Sequence, residues 1–338
     1  MSIRAEPFQR VAVLGAGAWG TALAISLVRA GRTPSVTLWA HEPEVAAAIN
    51  TTHRNPIFLP ESAIPPAVHA TTGLEDLANA EALLIAAPAQ YLRDTTSRAA
   101  PRIGAGTLLV LCAKGIELNT GRLMSEVLAE TCPQARVAVL SGPTFAAEVA
   151  AGKPTAITLA CADAAAGARF VATIGSTVFR PYLSDDIVGA QVGGAVKNVI
   201  AIACGIVTGR QLGDNARAAL MTRGLSEMMR LGAALGGRRE TLMGLSGLGD
   251  LALTCNGPQS RNMSLGLALG RGKSLAEALS GMRAVVEGVD TAAAVLALAA
   301  RCGVSMPIVA AVDGILRHGA DITRTIAALL ERPFKSEE

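Results

Sequence analysis

The chain has 338 residues, of which 51% are hydrophobic, 17% charged and 3% aromatic, and its net charge is +3. This length predicts two domains, and the composition is that of a compact globular protein with too few aromatic residues for a base-stacking surface. The small net charge gives no indication of a nucleic-acid partner or of binding to an anionic membrane surface.

Cysteine and histidine spacing, together with the N-terminus, predicts a soluble cytoplasmic protein. The six cysteines are at least 20 residues apart and form no CxxC pair, which is typical of free thiols in a reducing compartment. The four histidines lack metal-ligand spacing, so no metal site is expected. The first apolar run ends at once in a glycine turn and does not continue as a signal peptide.

The first half of the chain alternates short apolar segments with helical patterns, closing its first helix at Gly31. Such alternation predicts a doubly wound, mostly parallel sheet with right-handed crossovers, which we place in residues 1–188. A loop with four prolines, residues 51–66, is predicted to be irregular. The predicted strands are residues 10–15, 35–40, 68–71, 82–87, 107–112, 136–140, 157–160 and 177–182, and the first two helices are 19–30 and 43–50.

After Asp185 the strand signals stop and helix-boundary signals follow. We therefore predict an all-helical second domain in residues 189–338. Its boundary signals are Asp214 and Ser260 as N-caps, Ser274 with Glu277 as a capping box, Pro307 in a first turn, Gly303 and Gly319 as C-caps, and a last helix at 321–331.

The stretch 187–207 is the first helix after the sheet and has one charged residue, Lys197, in 21 positions. A membrane span is disfavoured because four glycines, Gln191 and Asn198 interrupt the run, and a central lysine costs about 2.5 to 3.5 kcal/mol on insertion scales. A buried lysine must be paired, neutralised or used in chemistry. The structural alternative is a core helix whose lysine reaches the surface or meets one carboxylate.

Residues 15–20 read GAGAWG, a GxGxxG that follows a predicted strand and opens a helix. Gly15 allows the tight turn, Gly17 lets the backbone approach a pyrophosphate, and Gly20 permits close helix–strand packing. The helix N-terminus stabilises the phosphates. In this context the motif predicts a Rossmann-like dinucleotide-binding domain, with a glycine-rich turn that binds nothing as the structural alternative.

The identity of the dinucleotide depends on the end of the second strand. An NAD site usually offers Asp or Glu to the ribose about 20 residues after the motif, whereas Ala40 stands at that place here. His41 can receive a 2′-phosphate when it is protonated, and Glu42 is either the displaced acid or a charge at a helix start. These residues favour NADP and leave NAD open.

Two loops that follow predicted strands are candidates for ligand binding, because ligands bind at this edge of doubly wound sheets. Lys114 lies in the first loop, CAKGIE, where an ordinary solvated lysine is the alternative. The second loop, SGPTFA at 141–146, has small residues and free backbone N–H groups that either line a pocket or make a turn.

The helical half supplies further candidates. Ser260 and Arg261, at a predicted helix start, form either a phosphate cradle or an N-cap followed by solvated residues. Asp250 is either a turn former or a carboxylate partner for a buried lysine. Glu287, in VVEG, is an acid between apolar residues that the pattern does not place.

Taken together, these segments resemble the NAD(P)-dependent glycerol-3-phosphate dehydrogenases along nearly the whole chain. The matching stretches, in family order, are GAGAWGTALA, CAKGIE, LSGPTFAAEV, GGAVKNVIAIACGI, GLSGLGDLALTCNGPQSRN and VVEGV. Six coincident motifs are far more specific than the glycine motif alone. The family's architecture, a Rossmann domain followed by a helical domain, agrees with the prediction above.

The resemblance implies reversible oxidation of sn-glycerol 3-phosphate to dihydroxyacetone phosphate, run mainly as a reduction for phospholipid synthesis. It also implies Lys197 as the proton acceptor. The implied substrate contacts are Lys114, Gly142, Thr144, Lys197, Asp250, Ser260, Arg261 and Asn262, and the implied cofactor contacts are Gly15, Gly17, Ala18, Trp19, Gly20, His41, Lys114, Ala146, Arg261, Val285 and Glu287.

Two residues depart from the family pattern: Ala18 stands where many relatives have Ser, and Thr144 where Ser is common. Ala18 removes a side-chain donor near the phosphates but keeps the backbone N–H, and Thr144 keeps the hydroxyl. The apolar helical half makes a homodimer the expected assembly. The alternatives to this function are a related enzyme for another small hydroxy or keto acid, because fold does not decide function, and a non-catalytic dinucleotide sensor.

Overall fold

A mostly parallel eight-stranded sheet organises the first half of the computed structural model, which describes residues 5–257, 259–282 and 285–333. The strand order is β3-β2-β1-β4-β5-β6-β7-β8, and neighbouring strands are parallel except for the antiparallel pair β6–β7. The strands are β1 Val11–Leu14, β2 Val36–Trp39, β3 Val68–Thr71, β4 Ala82–Ile85, β5 Leu108–Leu111, β6 Arg136–Ser141, β7 Thr155–Cys161 and β8 Phe179–Ser184.

The central strands are apolar throughout because helices cover both faces of the sheet. All residues of β1, β4 and β5 are buried, and their side chains enter two separate apolar cores on opposite faces. The predicted Rossmann-like, doubly wound sheet is thereby confirmed. The strand order also reverses between β1 and β4, which places a ligand crevice at the carboxyl ends of these two strands.

Helices form the second half, and most predicted boundary signals are found. Ser260 accepts a hydrogen bond from the N–H of Met263, and Ser274 with Glu277 forms the capping box. The prediction of Asp214 as an N-cap is wrong by one residue, because Gly213, at φ +90°, is the N-cap and Asp214 begins the helix.

The α-helices of both halves are α1 Ala18–Arg29, α2 Pro43–Thr52, α3 Leu92–Ala99, α4 Met124–Thr131, α5 Ala146–Ala150, α6 Ala164–Ile174, α7 Ile187–Gly209, α8 Asp214–Ala234, α9 Arg239–Leu242, α10 Asp250–Asn256, α11 Arg261–Gly270, α12 Leu275–Ser280, α13 Glu287–Arg301, α14 Pro307–His318 and α15 Ile322–Leu330.

Helix α7 is the central element of the helical half and is buried on all sides from Gly189 to Val207. Its length and composition are those of a membrane span, but 89% of its most apolar window is buried inside the protein. It begins three residues after β8 ends at Ser184. The domain boundary between residues 188 and 189 remains a prediction.

Glycines allow α7 to lie against α11 at backbone distance. A Cβ on Gly266 of α11 would lie 2.0 Å from the carbonyl oxygen of Ile202, and one on Gly205 of α7 would lie 2.2 Å from that of Met263. Both distances are shorter than any real contact, and the obstructing atoms are backbone. Side chains at these positions would therefore force the two helices apart.

We expect Gly266→Ala to lower the free energy of unfolding by about 2 kcal/mol or more, because its Cβ overlaps backbone that cannot move alone. Urea denaturation, followed by circular dichroism, measures the change. Gly281→Ala is the matched control, since no atom of the described residues, its chain neighbours aside, lies within 4 Å of its Cβ position and its φ of −87° suits alanine. Equal midpoints for the two variants would contradict the close crossing.

Candidate active site

The glycine loop lies at the reversal of strand order, between the ends of β1 and β4. Gly15 has φ +121°, a conformation that disfavours residues with a Cβ, and a Cβ there would lie 2.9 Å from the backbone of Ala86. A Cβ on Gly20 would lie 1.8 Å from the Gly15 carbonyl oxygen. Both glycines are therefore required by the packing of the loop against itself and β4.

The start of α1 has the space and the donors that a pyrophosphate needs. Gly17 is the N-cap residue and has no side chain to cap the first turn. In the part of the chain that the structure describes, no atom beyond its chain neighbours lies within 4 Å of the position of a Gly17 Cβ. The buried indole Nε1 of Trp19 has no hydrogen-bond partner among the described residues. Uncapped N–H groups at a helix start favour an anion, and so these residues fit a dinucleotide.

The residues expected near the adenosine ribose lie just after β2. Trp39 is held by its Nε1, which donates to the Thr72 carbonyl at 2.9 Å. His41 is exposed, with its ring centroid 6.0 Å from that of Trp39, and Glu42 is the N-cap residue of α2 without a side-chain capping bond. Both side chains are thus available to a ribose or to its 2′-phosphate.

A buried carboxylate joins two lysines that are far apart in the chain. Asp250 Oδ1 accepts from Lys197 Nζ at 2.6 Å, and Asp250 Oδ2 accepts from Lys114 Nζ at 2.6 Å. Asp250 is fully buried and Lys197 is only 6% exposed. Because buried ions must be paired, this one carboxylate is the shared counter-ion of both ammonium groups.

Further hydrogen bonds orient each ammonium group. Lys197 Nζ also donates to Thr254 Oγ1 at 2.8 Å, and Thr254 lies one helical turn after Asp250 on α10. Lys114 Nζ also donates to the Gly142 carbonyl at 3.0 Å. The predicted residues Lys114, Gly142, Lys197 and Asp250 are therefore one hydrogen-bonded cluster.

Glycines in α7 allow the sheet loops to reach this cluster. A Cβ on Gly194 would lie 2.9 Å from Ser141 Oγ and 3.3 Å from Lys114 Cγ. A Cβ on Gly193 would lie 2.4 Å from the Ser246 carbonyl, in the π-helical turn that leads to Asp250. Small residues one turn before Lys197 thus leave room for both of its charged neighbours.

The loop that carries Lys114 is held by side chains from the segment after β4. Gln90 donates to the Ile116 carbonyl and accepts from the Leu118 N–H, both at 2.9 Å. Arg93 donates to both oxygens of Glu117, at 2.8 and 2.9 Å. These bonds restrict the backbone on the carboxyl side of Lys114.

The pKa of the Lys197 ammonium is lowered to about 8, because burial lowers it, Asp250 partly restores it, and the positive charge of Lys114 lowers it. Desolvation of the ammonium is the largest of these effects. A pKa of about 8 lets this lysine hold or release a proton near neutral pH, which an exposed lysine does not do.

A second polar chain links the cluster to the helical-domain candidates. Asn262 Nδ2 donates to Asn198 Oδ1 at 2.9 Å, and Asn198 Nδ2 donates to Glu287 Oε2 at 3.4 Å. Burial raises the pKa of the Glu287 carboxyl, and the charge of Arg261 opposes that shift. Asn198, next to Lys197, thereby connects residues of α11 and α13 to α7.

Arg261 is exposed at the start of α11. Its Nη1 donates to the Val285 carbonyl at 2.7 Å, whereas the Val285 side chain is 43% exposed. Ser260 Oγ accepts from the Met263 N–H, so its own hydroxyl proton stays available to a ligand. Val285 therefore contacts Arg261 through its backbone carbonyl and not through its side chain. The start of α11 presents the Arg261 cation beside the Ser260 hydroxyl donor.

The structure also brings in two residues to which sequence reasoning assigned no role, Asn198 and Thr254. Thr254 is four residues after Asp250, which places both side chains on one helix face, and that spacing was the available signal. Asn198 was considered only as a polar interruption of an apolar helix. Thr144, whose hydroxyl is 3.3 Å from the Gly142 carbonyl, lies in the loop after β6, and Ala146 is the first residue of α5.

Comparisons with known proteins identify the family of the whole chain. Residues 10–167 match the family model described as NAD-dependent glycerol-3-phosphate dehydrogenase N-terminus, and residues 186–327 match the C-terminus model of the same name. The chain is 56% identical over 330 residues to a glycerol-3-phosphate dehydrogenase [NAD(P)+] of Parvibaculum lavamentivorans, covering 98% of each chain. Its identity to that of Rhodospirillum rubrum is 58% over 328 residues, covering 97% of this chain and 93% of the other.

A solved structure shows the same fold. The crystal structure of glycerol-3-phosphate dehydrogenase from Coxiella burnetii superposes with a TM-score of 0.93 at 40% identity, covering 96% of this chain and all of the other (100%). The fold of both halves is therefore shared. The chain belongs to the NAD-dependent glycerol-3-phosphate dehydrogenase family.

Proposed function

We propose that this protein interconverts sn-glycerol 3-phosphate and dihydroxyacetone phosphate with NAD or NADP as cofactor. The observation that carries the proposal is the buried Lys197–Asp250–Lys114 cluster, in which a lysine with a pKa of about 8 lies beside a second ammonium group. Such a lysine suits proton transfer at a secondary alcohol. The family relationship supports the same reaction.

Lys197 is the proton acceptor when the alcohol is oxidised. As the free amine it takes the hydroxyl proton, and in the reverse direction its ammonium returns a proton to the oxygen of the carbonyl. Asp250 and Thr254 accept hydrogen bonds from Nζ and keep it aimed in one direction. Because only the protonated form is stabilised by Asp250, this carboxylate keeps the pKa from falling further after burial.

Lys114 polarises the substrate oxygen. Its charge lies across Asp250 from Lys197, so it stabilises negative charge that develops on the oxygen during proton transfer. It also donates to the Gly142 carbonyl, which places the loop containing Thr144 beside the substrate.

Arg261 anchors the substrate phosphate, with the Ser260 hydroxyl and the Asn262 amide as neighbouring donors. An exposed guanidinium at a helix start is suited to bidentate phosphate binding. Binding energy gained at the phosphate holds the reacting carbon in place without itself taking part in the chemistry.

The cofactor, when bound, supplies or accepts the hydride. The start of α1 would hold its pyrophosphate through Gly15, Gly17, Ala18, Trp19 and Gly20. His41 would bind a 2′-phosphate where one is present. The remaining proposed contacts are Lys114, Ala146, Arg261, Val285 and Glu287. We further propose a cytoplasmic homodimer without nucleic-acid partners that runs mainly as a reductase for glycerophospholipid synthesis.

The substrate assay separates this function from the alternatives. We expect oxidation of NADPH or NADH with dihydroxyacetone phosphate, because Arg261 suits a phosphate, and little with ketopantoate or other keto acids, measured by loss of absorbance of the reduced cofactor. Turnover of keto acids alone would contradict the substrate, and cofactor binding without any turnover would favour the sensor.

Lys197→Ala is expected to lower kcat by about a hundredfold or more, because general acid–base catalysis typically contributes that much or more. The affinity for NADPH should change little. Steady-state kinetics and fluorescence titration with NADPH measure the two effects. Lys153→Ala removes an exposed lysine from the sheet domain and serves as the control; similar losses in both variants would contradict the assignment.

The pH profile gives an independent test of Lys197. Since its folded pKa lies below the ordinary value of 10.5, the free amine is present above about pH 8. For alcohol oxidation, kcat/KM should therefore rise with pH and level off above about 8, whereas the reductive direction should fall there. An oxidative limb that still rises at pH 10 would be inconsistent with this lysine as the base.

Arg261→Ala is expected to raise the KM for dihydroxyacetone phosphate by about tenfold or more, because charged hydrogen bonds to phosphate are lost. Arg271→Ala is the control, since Arg271 is exposed at the other end of the same helix. The kinetic measurement should include the KM for the cofactor. An unchanged KM for both ligands would contradict the assignment of Arg261 as the phosphate anchor.

A further inference from the structure

The proline-containing loop between α2 and β3 packs beneath the glycine loop. Its residue Asn55 is completely buried, with 0% exposure, and Leu59 and Ile64 of the same loop enter the core of the sheet domain. A buried amide must satisfy its donors and acceptor within the protein. The hydrogen-bond partners of the Asn55 amide therefore show what holds this side chain in place.

The Asn55 side chain bonds to the cofactor loop. Its Nδ2 donates to the Ala16 carbonyl at 2.8 Å and to Thr21 Oγ1 at 3.0 Å, while its Oδ1 accepts from the Phe58 N–H at 3.1 Å. The Thr21 hydroxyl donates to the same Ala16 carbonyl at 3.3 Å. Two donors thus hold one carbonyl that lies inside the GxGxxG motif.

The orientation of the Ala16 carbonyl also fixes the orientation of the Gly17 N–H, because both belong to one peptide group. In a trans peptide the C=O and N–H groups point in opposite directions, and the described residues contain no cis peptide bond. With the Ala16 carbonyl turned toward Asn55, the Gly17 N–H faces away from it. Rotation of this peptide would instead turn a carbonyl oxygen toward the phosphates and repel them.

We propose that Asn55 is a positioning residue for the cofactor pyrophosphate. It holds the Ala16 carbonyl away from the phosphates, so that the Gly17 N–H and the uncapped first turn of α1 face them. The inference rests on the proposed dinucleotide site and assigns a role to a loop that lies outside the residues proposed to touch the cofactor.

Asn55→Asp tests the role, because it preserves size and the acceptor for Phe58 but replaces the NH₂ donor with an oxygen that repels the Ala16 carbonyl. We expect the Kd for ADP-ribose, which contains the pyrophosphate, to rise about tenfold or more. The Kd for adenosine, which lacks phosphates, should change little. Isothermal titration calorimetry measures both without any catalytic step.

Asn50→Asp is the matched control. Its amide also makes two backbone bonds, donating to the Ala70 carbonyl at 2.8 Å and accepting from the Ala70 N–H at 2.9 Å, but it contacts β3 and not the glycine loop. This variant should bind ADP-ribose like the unaltered protein. Thr21→Val removes the second donor to Ala16 and should weaken ADP-ribose binding in the same direction by a smaller factor.

Several outcomes would overturn the proposal. Unchanged ADP-ribose affinity in Asn55→Asp contradicts it, and so does an equal loss for ADP-ribose and adenosine, which would indicate general loss of structure. If circular dichroism shows that Asn55→Asp does not fold, Thr21→Val decides, and normal affinity there contradicts the role. If the unaltered protein bound neither NADPH nor ADP-ribose, the dinucleotide site itself would be wrong.

Discussion

The shared carboxylate of Asp250 is the interaction on which the rest of the site depends. Two ammonium groups, from Lys114 and Lys197, lie on largely buried side chains, and each would be costly without a counter-charge. One carboxylate cannot fully neutralise two cations, so the pair keeps an excess of positive charge. Desolvation is the main cause that lowers the pKa of Lys197 to about 8; Asp250 opposes this shift and Lys114 adds to it. The excess positive charge suits the site to an anionic substrate, and the lowered pKa suits it to proton transfer.

Close backbone packing makes this pairing possible. Lys197 lies in the middle of a helix buried on all sides, so its partners must come from other elements, and glycines provide the space. Gly193 and Gly194 admit the turn before Asp250 and the Lys114 side chain, while Gly205 allows α11 to approach with Asn262. Glycines weaken an isolated helix, but those of α7 allow the other elements of the site to approach this helix closely.

Regular patterns in the sequence predicted most of the fold. Strand–helix alternation predicted the sheet, and capping signals at Ser260 and Ser274 marked true helix starts, because both depend on local chemistry. Less local features were not predictable. The antiparallel pairing of β6 with β7 depends on how the chain returns to the sheet edge, and Gly213 displaced Asp214 as N-cap through a backbone conformation that composition does not reveal.

The sequence by itself determined which residue types were available: a glycine loop after a strand, one lysine in an apolar helix, an acid in GLGD and a basic residue at a helix start. It also determined the family, through six motifs in order. Only the tertiary structure decided that Asp250 contacts both lysines, that Asn198 and Thr254 belong to the same network, and that buried Asn55 holds the glycine loop. Local patterns reflect neighbours within a few residues, whereas these contacts join residues 39 to 136 positions apart in the chain, except for the Thr254–Asp250 pair within one helix. The contacts of Asp250 and Asn198 depend on packing around α7, and that of Asn55 depends on packing within the sheet domain. No local pattern encodes either.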